Sequence, residues 1–70
     1  MAKLSIVVPC LNEEEALPLL VERVDSATSA WKGLREIILV DDGSTDGTWA
    51  GMEKAARDVA DVRGIRLSSN

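Results

Sequence analysis

Two short apolar runs, each opening into an acidic loop, alternate along the chain with two stretches whose apolar residues recur at helical spacing. The first run, Leu4 to Val8, is rich in β-branched residues and predicts a strand. Pro9 ends it, because proline cannot donate to a central ladder, and Cys10, Leu11 and Asn12 turn the chain. Leu17, Leu20, Val21, Val24, Ala27 and Trp31 then follow the helical period, with Gly33 as a left-handed stop. Pro18 fits if Glu13 to Leu17 form a short turn and the main helix starts at Pro18. Asn12 and Glu15 have the spacing of a capping box, and Glu13, Glu14 and Glu15 suit the positive end of a helix.

The second run is Ile37, Ile38, Leu39 and Val40, apolar in both parities, as in a strand buried on both faces. It leads into Asp41, Asp42 and Gly43. Gly43 and Gly47 allow tight turning, and Ser44, Thr45 and Asp46 can cap the helix marked by Trp49, Met52, Ala56 and Val59. Glu53 with Arg57 and Lys54 with Asp58 are four-apart ion pairs on its exposed side. Arg63 to Ser68 alternates imperfectly and reads as an edge strand with one solvated side.

The order strand, helix, strand, helix, strand, with connections this short, predicts an α/β fold: a three-stranded parallel sheet of order 3-2-1. Right-handed crossovers stepping in one direction put both helices on one face. The other face then carries apolar residues with nothing over them. Burial of that face by self-association, or by the remainder of a longer parent chain, is therefore expected.

Seventy residues are only marginally enough for a core without staples. One cysteine and no histidine exclude an internal disulfide, a zinc site of the usual kind and a His-based triad within these residues, and point to a reducing, cytoplasmic setting. No apolar run exceeds four residues, so neither a membrane span nor a signal-peptide core is expected here. A net charge of -4 argues against nucleic acid as a partner. Six of the twelve acids (Glu13, Glu14, Glu15, Asp41, Asp42 and Asp46) fall in two loop-to-helix segments, so the acidity is gathered where an open parallel sheet has its ligand crevice.

Ser5 to Leu20 (SIVVPCLNEEEALPLL) and Glu36 to Thr48 (EIILVDDGSTDGT) together resemble the amino-terminal half of the nucleotide-sugar-binding region of family 2 glycosyltransferases. The nearest likeness is to members that glycosylate polyprenyl phosphates, such as dolichol-phosphate sugar synthases. The resemblance implies a Rossmann-like GT-A fold, of which residues 1–70 form an incomplete amino-terminal segment. It also implies a UDP- or GDP-linked sugar donor, a polyprenyl-phosphate acceptor at the cytoplasmic membrane face, and a divalent cation, Mg or Mn, in the complete domain. By the same resemblance Pro9, Asn12 and Glu13 lie against the nucleoside, and Asp42, beside Asp41, accepts a hydrogen bond from the base. Leu11 stands where the family commonly has an aromatic residue, so stacking becomes a softer apolar contact. The physical logic agrees: a carboxylate accepts from the ring N–H of uracil or guanine, finds an acceptor nitrogen at the matching place in cytosine or adenine, and repels phosphate.

The family's Asp-X-Asp metal motif, its general base and its acceptor site all come later than Asn70. No catalytic residue or metal ligand is therefore assigned here, and the chain alone is expected to be inactive. Two other readings remain at this point. One is a non-catalytic α/β scaffold that self-associates. The other, suggested by IILVDD, is a receiver-like cation-binding domain, which needs an acceptor aspartate at a later strand end and a distal lysine. The 28 residues after Asp42 supply neither in a suitable place.

Overall fold

The computed structural model describes residues 3–67. Its elements are β1 (Lys3–Cys10), α1 (Leu17–Thr28), β2 (Leu34–Asp41), α2 (Thr48–Asp58) and β3 (Val62–Arg66). The sheet is parallel with β2 in the middle, the expected 3-2-1 order. Ile6 lies opposite Ile37, and Ile37 opposite Val62; further along, Cys10, Asp41 and Arg66 form one row across the carboxyl end. Ser68, the last residue of the expected third strand, lies outside the described residues.

Both helices cover one face. Leu17 and Val21 of α1, Met52 of α2, and Cys10, Ile37, Leu39 and Val62 of the sheet form one buried cluster, with Val8, Leu20, Val24, Trp49, Ala55 and Val59 packed around it. Each large side chain fully buried there contributes about 1.5–3 kcal/mol. The helix α2 comes close enough to β3 that a Cβ on Gly64 would meet Met52 and Trp49 side-chain atoms at 3.3 Å, tighter than ordinary contact. The opposite face is polar at one end, where Glu36 pairs with Lys3 and Arg63. Towards the carboxyl end it is apolar and open: Val7 is 61 % exposed and Ile65 39 %, with Ile38 and Val40 between them only half-buried.

Several local expectations are corrected. The strand β1 runs through Pro9 to Cys10 rather than ending at Val8. This is tolerated because β1 lies at a sheet edge, where a missing N–H need not break a ladder. Asn12 is not a helix cap: it adopts a left-handed conformation (φ 52°), and α1 starts after Ala16 with no side-chain cap bond. The turn before α1 is as expected, with Leu17 N–H donating to the Glu13 carbonyl at 2.8 Å and Pro18 in the first helical turn.

Gly33 is not a left-handed stop; α1 ends at Thr28 and Ser29 keeps a right-handed helical conformation. Trp31 therefore falls beyond the helix. It is 41 % exposed rather than in the core, and its indole N–H donates to the Leu34 carbonyl. Ala27 is exposed too, and Thr28 is buried in its place. The Thr28 hydroxyl donates to the Val24 carbonyl and accepts from Arg35, whose guanidinium also reaches Asp25 and the Ala60 carbonyl. That arginine ties α1, β2 and the turn before β3 together at the amino end of the sheet, a role its sequence position did not suggest. Lys54 and Asp58 pair on α2 as expected.

Candidate functional site

At the carboxyl end of the sheet the two acidic loops are fastened to each other by backbone donors and side-chain acceptors. Asn12 N–H donates to Ser44 Oγ and Thr45 N–H donates back to Asn12 Oδ1, each at 2.9 Å. One turn further on, Glu13 N–H donates to Thr48 Oγ1 at 2.9 Å and Glu14 N–H to Asp46 Oδ2 at 3.3 Å. Gly47 N–H in turn donates to Glu14 Oε1 at 2.9 Å. The left-handed turn at Asn12 is what aims its amide and its side chain at the second loop. A short polar side chain tolerates that conformation best.

Asp46 completes the junction. Its Oδ1 accepts from the backbone N–H of Thr48 at 2.9 Å and from the Thr48 hydroxyl, so it serves the start of α2 as well as the first loop. The hydroxyl bond is the main reason its carboxyl is held below the usual carboxylate range, with the backbone N–H groups of Thr48, Glu14 and Asp46 itself adding to it. Thr48 itself is fully buried. Of the residues expected to cap α2, only Asp46 bonds its first turn; Ser44 and Thr45 are spent on the other loop.

The two carboxylates of the pair have different surroundings. Asp41 is fully buried, and its Oδ1 accepts from Ser44 N–H at 2.9 Å. That bond closes a turn around Asp42 and Gly43, the latter at φ 88°, where glycine is at ease. Asp42 is exposed at the tip. Leu11 is 57 % exposed on the neighbouring loop. Pro9 is exposed on the open face in register with Val40.

Two hollows flank the first loop. One of about 410 Å³ is lined by Asn12, Glu13, Glu14, Glu15, Ala16 and Asp46, and its acidity disfavours a phosphate. Another of about 300 Å³ lies among Pro9, Glu13, Ala16, Leu19, Leu20 and Arg23. Glu13 and Ala16 are common to both. The buried Cys10 behaves as a packing residue: burial, then Glu13 and Asp41, pushes its thiol up, away from reactivity.

Among the described residues no group of three or more His, Cys, Asp or Glu side chains is placed to hold a metal ion. The donors present therefore do not by themselves fit a divalent cation. No described helix is long and apolar enough to cross a membrane.

The model of the family "Glycosyl transferase family 2" matches residues 5–70, and the chain belongs to that family. A parallel β-α-β-α-β sheet with its acidic loops at the carboxyl end is consistent with part of a Rossmann-like GT-A domain. Among similar curated proteins are the undecaprenyl-phosphate 4-deoxy-4-formamido-L-arabinose transferases of Yersinia enterocolitica serotype O:8, Yersinia pestis (strain Pestoides F) and Yersinia pseudotuberculosis serotype O:3. Each is 46% identical over 56 residues, which is 80% of this chain and 17% of the relative. The chain thus spans about one sixth of the length of the curated relatives it matches. No solved structure matches it significantly.

Proposed function

We propose that the chain is the amino-terminal nucleotide-sugar-binding segment of a glycosyltransferase domain whose remaining parts lie elsewhere in a longer parent. The parent transfers a sugar from a UDP- or GDP-linked donor to an acceptor, and this segment holds the nucleoside. Family membership supports the donor class. The undecaprenyl phosphate on which the similar transferases act supports a polyprenyl phosphate as acceptor. In this reading the transfer takes place at the cytoplasmic membrane face.

The observation that carries the nucleoside assignment is Asp42: an exposed carboxylate at the tip of a turn closed by Asp41, at the end of the central strand, beside a loop locked to it by hydrogen bonds. In this arrangement Asp42 accepts from the base N–H, Leu11 and Pro9 offer apolar surface, and Asn12 and Glu13 border the ribose. Asp41 contributes from behind, since its oxygens are buried. The divalent cation belongs to the complete domain, with ligands outside these residues, as does the catalytic base. The open sheet face is covered by the rest of the parent or, in the isolated chain, by a second copy.

Titration of nucleotides against the full-length parent tests this. A charge-assisted hydrogen bond contributes about 1.5–3 kcal/mol, so Asp42→Asn should weaken uridine or guanosine diphosphate roughly 10- to 100-fold. Equal affinity for cytidine and uridine diphosphates, or no loss with Asp42→Asn, sinks the assignment.

A further inference from the structure

The buried carboxylate behind Asp42 is incompletely satisfied, and an arginine stands opposite. Asp41 Oδ1 is engaged by Ser44 N–H, but Oδ2 is buried with no hydrogen-bond partner among the described residues. Arg66, its register partner on β3, brings Nε to 4.0 Å from Oδ2. The guanidinium lies over the Trp49 ring, 5.4 Å from its centroid, which limits where it can go. Leu67 N–H donates to the Asp41 carbonyl at 2.8 Å, fastening the end of β3 at the same point. From β1 the neighbour in the row is Cys10, a neutral thiol, so that side offers no positive charge.

A carboxylate removed from water needs donors or a cation for both oxygens, or it turns towards whatever donor it can find. We infer that Arg66, stacked on Trp49, is a positioning residue: it holds the Asp41 carboxylate in the orientation that presents Oδ1 to Ser44 N–H. That fixes the turn from which Asp42 meets the nucleobase. The inference rests on the nucleoside reading above and extends it to β3 and α2. Loss of the guanidinium frees the carboxylate to rotate, loosens the Asp41 to Ser44 turn, and spreads Asp42 over positions that do not meet the base.

Calorimetry on the full-length parent, with uridine, guanosine and their diphosphates as probes, tests it. Arg66→Met should weaken the preferred nucleoside and its diphosphate alike, about tenfold, and Arg66→Lys, which keeps the charge, should recover most of that loss. Adding Asp41→Asn should cost less in the Arg66→Met background than in the wild type, because the two act through one contact. A loss confined to the diphosphates would make Arg66 a phosphate ligand and overturn the inference. Strict additivity of the two substitutions, or a lowered Tm with unchanged affinities, would overturn it as well. A wild type that binds none of the probes removes the nucleoside reading and this inference together. A wild type that binds, with Arg66→Met unchanged from it, removes this inference alone.

Discussion

Replacing Thr48 by valine probes the junction between the two loops at a single atom. Thr48 is fully buried and its Oγ1 accepts from Glu13 N–H at 2.9 Å while donating to Asp46. Valine keeps the shape and deletes both bonds. A buried donor left without an acceptor costs about 1–3 kcal/mol. Glu13 is itself exposed, so water replaces part of the lost acceptor, and the low end of the range, about 1–1.5 kcal/mol, is expected. Because the loop opens locally, this should be read as roughly a tenfold fall in hydrogen-exchange protection of the amides around Asn12 to Glu14 in the parent protein.

Thr48→Ser is the control: it keeps the hydroxyl and loses one buried methyl group, worth about 0.8 kcal/mol spread over the core. Protection at the loop amides that falls equally in Thr48→Val and Thr48→Ser would refute the claim that the hydroxyl holds the loops together. The pH dependence has a defined sign. The Asp46 carboxyl is depressed below its ordinary value of 3.8, so its contribution is complete above about pH 4 and is lost as pH falls through the folded-state value. Its main support is the Thr48 hydroxyl, so the difference between wild type and Thr48→Val should narrow in acid, leaving the part that comes from the lost acceptor of Glu13 N–H.

Gly43→Ala should destabilise the parent by about 1–2 kcal/mol, because φ 88° brings a Cβ against the backbone, and a denaturation midpoint unchanged from wild type would show that the turn can relax. The isolated 70-residue chain should self-associate through the face that carries Val7, Ile38, Val40 and Ile65. In sedimentation, a folded monomer at high concentration that binds no hydrophobic dye would show that this face is less adhesive than its apolar surface implies.

Local pattern sufficed wherever one residue's chemistry decides the outcome. Four consecutive apolar residues gave β2, and their double parity marked it as central before any neighbour was known. Short connections required parallel, right-handed crossovers, and in the 3-2-1 order these put both helices on one face and expose Val7 and Ile65 on the other. The paired motifs marked the loops of the candidate site because a turn after a buried strand demands glycine and small polar residues whatever surrounds it.

The errors at Asn12 and Trp31 lie where a partner distant in sequence decides. Asn12 and Glu15 have the spacing of a capping box, but Asn12 gains more from Ser44 and Thr45, 32 and 33 residues away, than from the start of its own helix. Trp31 keeps the helical period, yet α1 stops at Thr28, where Arg35 from the next strand takes the threonine hydroxyl. Asp41 and Asp42 are the same residue type side by side, and nothing in their order says which is buried. Strand pleating turns Asp41 towards Cys10 and Arg66 and leaves Asp42 in solvent, because successive side chains point to opposite faces until the chain leaves the sheet. Hydrogen bonds between loops and the direction a side chain faces are properties of contacts across the fold, and periodicity along the chain carries no record of them.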